Sequence, residues 1–402
     1  MTTEKSSLAM TDSRESLWML FWTFLKIGST AFGGFMALIS VVQNYMVERR
    51  KLLSHGDMLD GVSLATILPG PVAVNVVAYA GYRVRGIAGA LVCATAVIIP
   101  SFFLILGLSY AYFTWGEIPA VNNIFKGFLP AVAAIIVSAA FNMGKKSLST
   151  YAEYAIAIAA MLILTTIGGF YSTLFIIFLS GLIGYVFFDG DANHKKTETV
   201  ASKHSGRSAT VIGLSVLSVS ALLYVWLKTN IVIAAKLFAT FSGMSLLLFG
   251  GGFVFIPLIK EIVVDTNGWV TYQEFIDGIA LGQVTPGPIL ISATFIGYKV
   301  GGVIGAISAT IGIFAPPAML MLMCTHFLER IKSSDAIRST LKGIRCGVIG
   351  MIAAAAYVVI MSAEQNVASF IIFSLALVAL FKFKLEVAWI IPAAGVIGFL
   401  FY

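Results

Sequence analysis

The sequence predicts an all-α polytopic membrane protein: two homologous six-segment repeats, read as inverted, joined by one extra helix, with helices broken at two Pro-Gly-Pro motifs. Three observations predict it. The composition is apolar with little charge, the chain is duplicated at a fixed offset, and matched helix-breaking triplets interrupt its apolar runs. Of 402 residues, 59% are hydrophobic and 11% charged, with a mean hydropathy of +0.94. Soluble domains carry about 45–50% apolar and about 25% charged residues. At about 20 apolar residues per span, the length holds roughly a dozen spans and no sizeable soluble domain. The lipid bilayer is therefore the first expected partner.

The formal charge of +7 lies in short basic clusters between apolar runs, the pattern of a topology signal rather than of a nucleic-acid surface. Cys93, Cys324 and Cys346 are far apart, and His55, His194, His204 and His326 have no ligand spacing. Neither a disulfide framework, a metal site nor a cofactor is expected. Met1 to Ser16 is polar and mixed in charge, without a basic start or cleavage pattern, so no removable signal peptide is expected.

The duplication follows from fixed spacings. Phe32-Gly33-Gly34 recurs as Phe249-Gly250-Gly251, Asp60-Gly61 as Asp277-Gly278, and Pro69-Gly70-Pro71 as Pro286-Gly287-Pro288, each 217 residues later. Past one deletion the offset is 216, and Gly81-Tyr82, Gly86, Gly89-Ala90, Pro100 and Lys126-Gly127 return as Gly297-Tyr298, Gly302, Gly305-Ala306, Pro316 and Lys342-Gly343. The expected divisions are a polar tail at 1–16, a first repeat at 17–188, a polar linker at 189–208, an unpaired connecting helix at 209–231 and a second repeat at 232–402.

Apolar runs near 18–47, 58–82, 86–113, 121–143, 151–168 and 171–188, the unrepeated 209–227, and then 232–259, 275–299, 301–327, 341–362, 367–381 and 387–402 give thirteen candidate spans. Six crossings per copy and one joining helix turn the second copy upside down. With the N-terminus inside, Arg83, Arg85, Lys145, Lys146, the linker lysines, Arg330, Lys332, Arg338, Lys382 and Lys384 fall inside, as the positive-inside rule requires. Arg49, Arg50 and Lys51 then fall outside, and the acidic 261–274 loop inside. Making 58–82 and its copy re-entrant repairs the first region but puts Arg330 and Lys384 outside. The inverted reading is preferred.

Leu68-Pro69-Gly70-Pro71 and Thr285-Pro286-Gly287-Pro288 sit near the middle of matched apolar stretches. Two prolines remove two amide donors and the glycine weakens the helix further, so each helix should stop and restart there. Pro71 and Pro288 are suited to open half-helices whose free amides form an anion site. Broken backbone at membrane depth needs protein or water around it, and paired breaks in two halves point to a transporter site. The candidate binding residues are Phe32, Gly33, Gly34, Pro69, Gly70, Pro71 and Val72 in copy one. In copy two they are Phe249, Gly250, Gly251, Thr285, Pro286, Gly287, Pro288 and Ile289. Gly86, Gly89, Gly301 and Gly305 are assigned to close helix packing.

Charges inside apolar runs cost about 2.5–3.5 kcal/mol at a span's centre. Lys126 and Lys342 share a repeat position, which suits a common role near the cavity or snorkelling at a helix end. Asp60 and Asp277 are matched as well, for helix capping or for proton or cation coupling. Gly144-Lys145-Lys146-Ser147 resembles the end of a P-loop, but Ala139 stands where its first glycine belongs, so ATP hydrolysis is not expected.

With those residues in view, the sequence resembles the chromate ion transporter family in its long, two-domain form. The resemblance rests on Phe32-Gly33-Gly34, Arg49-Arg50-Lys51, the Asp60 to Pro71 segment, Gly81-Tyr82, Gly86, Gly89 and Ile99-Pro100-Ser101. In copy two it rests on Phe249-Gly250-Gly251, Trp269, Asp277-Gly278 and Thr285 to Pro288. It implies a bacterial or archaeal cytoplasmic-membrane protein that exports chromate, an analogue of sulfate, and it supports inverted halves. Copy two carries Pro316-Pro317 where copy one has Pro100-Ser101, so the halves need not contribute equally.

A dianion leaving an inside-negative cell gains about 4.6 kcal/mol per 100 mV, roughly three decades of concentration ratio. The expected mechanism holds chromate between the broken helices by amides near Gly70 to Val72 and Gly287 to Ile289, with a nearby Lys or Arg. Rocking of the copies then exposes it alternately. A carrier for sulfate or another oxyanion, a channel, and an intramembrane enzyme using Asp60 and Asp277 as a dyad are the other classes. A homodimer is left open.

Overall fold

The computed structural model describes residues 16–31, 34–115, 119–168, 170–188, 231–248, 255–325, 334–362, 366–385 and 387–402. The tail 1–15, the linker 189–208, the connecting segment 209–230 and, of the candidate site, Phe32, Gly33, Phe249, Gly250 and Gly251 lie outside the described residues. Regular structure among the described residues is all helical.

The first repeat comprises α1 (Leu17–Thr30), α2 (Gly34–Gln43) prolonged by a π turn (Asn44–Arg49), α3 (His55–Ile67), α4 (Val72–Trp115), α5 (Pro119–Ser147), α6 (Tyr151–Thr166) and α7 (Phe170–Phe187). The second comprises α8 (Ile231–Ser245), α9 (Phe255–Lys260) prolonged by a π turn (Glu261–Thr266), α10 (Tyr272–Val284), a 3₁₀ turn (Ile289–Ile291), α11 (Ser292–Thr325), α12 (Asp335–Ser362), α13 (Val367–Phe381) and α14 (Val387–Phe401). The two series match element for element, including the π turns. The one-residue deletion falls at the 3₁₀ turn, where copy one enters its helix directly.

Helix starts follow local chemistry. At α3 the Ser54 hydroxyl accepts from the Asp57 amide while Asp57 accepts from the Ser54 amide, and Thr271 with Glu274 does the same at α10. These reciprocal caps satisfy amides that no intrahelical carbonyl can reach. Asp60 and Asp277, for which capping was one expected role, lie one turn further in, and the cap belongs to Ser54 and Thr271.

Several apolar runs fold back on themselves. A straight 44-residue helix would be about 66 Å long, yet α4 carries non-helical angles at Arg85 (φ −136, ψ 23) and Gly86 (φ 60, ψ −149). Beyond that turn Gly89 lies backbone to backbone against Gly81. α11 does the same at Gly301 (φ −140, ψ 22) and Gly302 (φ 59, ψ −147), bringing Gly297 against Gly305. Gly81, Gly89, Gly297 and Gly305 are thus packing glycines, whereas Gly86, with no atom within 4 Å of a Cβ built on it, serves the turn. The segment before each turn also runs back along the preceding helix. Gly61 abuts the Tyr79 ring, Gly278 abuts Phe295, and the ion pairs Asp57 to Arg83 and Glu274 to Lys299 close the bases. The run 18–47, counted as one span, is two helices that double back, since Thr23 Oγ1 meets the Tyr45 hydroxyl at 2.9 Å.

Among the described residues, four helices are long and apolar enough to cross a membrane: Val72–Trp115, Asn123–Lys145, Ile289–Thr325 and Ala336–Met361. The repeats exchange their last two helices. α5 packs against α13 and α14, while α12 packs against α6 and α7, and α5 and α12 pack against each other. Small residues allow it. Gly127 meets the backbone of Ala394 and Gly398, and Gly343 meets that of Ser180 and Gly184, the close approach that glycine permits between apolar helices.

Candidate functional site

Leu68 and Thr285 are extended (ψ 152 and ψ 142), the conformation a following proline imposes. Gly70 and Gly287 share a φ of 107, which only glycine reaches without strain. The Gly70 amide donates to the Leu248 carbonyl at 2.7 Å, and the Gly287 amide donates to the Ala31 carbonyl at 3.0 Å. Ala31 directly precedes Phe32-Gly33-Gly34, and Leu248 directly precedes Phe249-Gly250-Gly251. The two bonds are counterparts under the repeat: each Pro-Gly-Pro tip is tied to the opposite copy beside its glycine motif.

These bonds change one expectation. The Gly70 and Gly287 amides, expected to hold an anion, are engaged by carbonyls. The donors suited to that role are first-turn amides beginning at Val72 and Ile289, which precede the first possible intrahelical acceptor.

The unequal Pro100-Ser101 and Pro316-Pro317 pairs meet these tips. Gly70 lies against the Pro317 ring, and Gly287 faces the Ser101 hydroxyl. Asn75, fully buried, donates through Nδ2 to the Pro69 carbonyl at 3.3 Å, and its Oδ1 has no partner among the described residues. The buried Gln283 likewise has an unpartnered Nε2. Thr285 Oγ1 donates to the Gly282 carbonyl at 3.1 Å, and Ser292 Oγ to the Ile289 carbonyl at 2.9 Å. The tips therefore contact uncharged polar groups and apolar rings.

Lys126 and Lys342 stand among other elements. Lys126 Nζ lies 5.7 Å from the centre of the Tyr402 ring, and Lys342 Nζ lies 5.2 Å from that of Phe188. Lys342 also pairs with the buried Glu153 at 3.0 Å. Glu153 accepts from the Ser149 and Thr150 amides as well, so one carboxylate caps α6 and ties it to α12. Replacing Glu153 by alanine is expected to cost about 1–3 kcal/mol, read as an earlier thermal transition of the detergent-purified protein.

Asp277, 1% exposed, accepts from the Tyr112 hydroxyl at 2.7 Å and from Gln273 Nε2 at 2.9 Å. Asp60 is half-buried. A groove of about 340 Å³ between α4 and α11 is lined by Val74, Ala94, Ile98, Ile307, Phe314 and Ala318, among others. Its apolar wall suits no dianion. Among the described residues no cluster of His, Cys, Asp or Glu could hold a metal ion.

Two matched interrupted segments with polar backbone thus lie inside an apolar helical body, a pattern that recurs in membrane transporters. The model of the family described as Chromate transporter matches residues 18–185 and again 235–399. The chain belongs to the chromate transporter family. Relatives extend along nearly its whole length. An uncharacterized transporter of Methanocaldococcus jannaschii is 30% identical over 95% of this chain and 93% of its own. A probable chromate transport protein of Synechococcus elongatus is 29% identical over 99% of both chains. A chromate transport protein of Pseudomonas aeruginosa is 30% identical over 95% of this chain and 92% of its own. No solved structure matches the chain. As a member of the chromate transporter family it is a multi-pass membrane transporter, its two matched stretches corresponding to the two structural repeats.

Sequence reasoning did not find Asn75, Gln283, Tyr112 or Gln273. Asn75 stands only four residues past Pro71, and a polar side chain this near a broken helix was a usable signal. Tyr112 is 165 residues from Asp277, a distance no local pattern bridges.

Proposed function

We propose that this chromate transporter family member is a secondary transporter, not an enzyme, that exports chromate across the cytoplasmic membrane. The dianion sits between the two Pro-Gly-Pro tips, at the first-turn amides from Val72 and Ile289, with Asn75 and Gln283 as adjacent polar groups. Phe32-Gly33-Gly34 and Phe249-Gly250-Gly251, which follow Ala31 and Leu248 in sequence, remain candidate residues for the same site. The observation that carries this reading is the reciprocal pair of bonds from Gly70 to Leu248 and from Gly287 to Ala31. A joint made of one segment from each copy is where two rocking halves can open first to one side and then to the other. Lys126 and Lys342 act on this reading by holding helix ends.

The repeats are inverted. The part of α4 beyond Gly86 starts at the base of the first hairpin, and its far end, Tyr112 and Phe113, packs against Phe295 and Tyr298 near the base of the second. That supports hairpin bases on opposite faces. Let the doubled arms return to their own face: α1 with α2, α3 with the start of α4, and their copies. Four crossings per repeat and the 209–231 helix then remain. Arg49, Arg50, Lys51, Arg83, Arg85, Lys145, Lys146, the linker lysines, Arg330, Lys332, Arg338, Lys382 and Lys384 all come to one face. Glu117, the acidic 261–274 stretch and Glu364 come to the other. Both regions that resisted a six-crossing assignment are satisfied, and the basic face is cytoplasmic.

The test is uptake into inverted membrane vesicles with an imposed potential, comparing chromate, sulfate and molybdate. Saturable chromate uptake that rises with a lumen-positive potential is expected, driven by up to roughly three decades of ratio per 100 mV. No uptake above vesicles lacking the protein overturns the reading. Equal rates for sulfate favour the broader oxyanion carrier, since amides recognise a tetrahedral dianion without reading its central atom.

A further inference from the structure

We infer that Asp277, held by Tyr112 and Gln273, is an exchangeable proton site whose occupancy is linked to that of the oxyanion. The inference rests on the oxyanion site proposed above and adds what travels with it.

The pair of side-chain donors differs between the two copies in sequence. Asp277 is buried in α10 with one donor on each oxygen, from α4 and from the preceding helical turn. Asp60 is its counterpart in copy one, but the positions matching Gln273 and Tyr112 are Gly56 and Leu328, which carry no side-chain donor. By sequence, the Tyr112 and Gln273 donors are therefore not repeated at the positions matching them in the other copy. The site is walled by rings: Tyr112 stands edge-on to Phe125 at 4.7 Å and to Phe295 at 5.2 Å between centroids. Tyr112 and Gln273 are themselves half-buried, so a proton has a short relay to the rim.

Among the described residues no cation pairs with this carboxylate. Neighbouring charges are already paired: Glu274 of α10 with Lys299 of α11 at 2.8 Å, and Lys260 of α9 with Asp265 at 2.6 Å. Lys260 also lies over the Tyr272 ring of α10, and Lys126 of α5 lies over Tyr402, just beyond the end of α14. An ionised carboxylate with only neutral donors, in a site of low dielectric, accepts a proton when a further negative charge arrives. The helix runs seven residues past Asp277 to Val284, about 10 Å at helical rise, and the Gly287 tip follows three residues later. A dianion there should raise the proton affinity of Asp277 by roughly one to two pH units. Proton and dianion bind together, and the net charge carried falls from two to one. No bond other than the O–H bond forms or breaks.

The experiment uses the purified full chain in detergent and chromate itself, in the alkaline range where chromate is fully a dianion. Wild type should take up about half to four-fifths of a proton per chromate bound at the most responsive pH, seen with an indicator in weak buffer, and its affinity should fall there by about three- to sixfold per pH unit. Asp277→Asn should bind chromate with no proton uptake and a flat pH profile. Tyr112→Phe, which removes a donor to the ionised form, should keep proton uptake but move the profile to higher pH. Asp277→Asn that still takes up protons overturns the inference, as does a folded Asp277→Asn that no longer binds chromate. Should Asp277→Asn not fold, a Tyr112→Phe profile identical to wild type overturns it. Wild type that binds no chromate overturns both readings, while wild type that binds it without proton uptake overturns only this one.

Discussion

Gly70→Ala is expected to reduce chromate uptake in vesicles more than a hundredfold at equal abundance in the membrane. Two costs combine at that position. The backbone has a φ of 107, where a residue with a Cβ is strained by about 1–3 kcal/mol. The added methyl would also overlap the Pro317 side chain, with its Cγ only 2.6 Å away. A proline ring has no rotamer by which to withdraw, so the tip must move and the bond to Leu248 is lost. Gly287→Ala meets the same φ but faces Ser101 Oγ at 3.0 Å, a hydroxyl that can rotate. Its loss should be nearer tenfold. Pro317→Gly introduced with Gly70→Ala removes both the Cβ and the Cγ that the new methyl meets and should restore part of the activity. Wild-type rates for Gly70→Ala would sink the claim that the tips form the transport site.

A second large effect is expected for Gly343→Leu, on assembly rather than on rate. A Cβ at Gly343 would overlap the Ser180 carbonyl and stand 2.7 Å from the Gly184 Cα. Apolar helices in lipid gain little from hydrophobic burial against each other, so their attraction depends on close packing. A leucine there forces α12 and α7 apart and costs more than about 3 kcal/mol. The expected result is loss of the monodisperse peak in size-exclusion chromatography of solubilised membranes. Gly107→Leu, placed where a Cβ meets nothing within 4 Å, is the control and should leave the peak intact. Equal behaviour of the two variants would refute the role of the seam.

Much of this arrangement was legible in the chain. The 217-residue offset already paired Pro69-Gly70-Pro71 with Pro286-Gly287-Pro288, because proline and glycine dictate backbone wherever they occur. The capping boxes at Ser54 and Thr271 are local patterns too. Other features are not local. Hydropathy cannot distinguish a helix that crosses from two that double back, so 18–47 looked like one span until Thr23 met Tyr45. Nor does periodicity say which helix a face will meet. Lys342 and Lys126 occupy one repeat position, but their partners come from the other copy, where Glu153 has Ser369 as its counterpart. Gly86 was assigned to packing because its spacing to Gly89 fits packing, and only the φ of 60 at Gly86 separates the two roles.

The exchange of terminal helices bears on how the molecule is made. A ribosome delivers α5 into the bilayer long before α13 and α14 exist, and α7 before α12. The glycine face of α5 at Gly127 therefore has to wait, covered by lipid or by the insertion machinery, until α14 arrives. Until then the first half leaves that face of α5 without its α14 partner. A truncation that removes α14 should therefore strand a helix synthesised more than two hundred residues earlier.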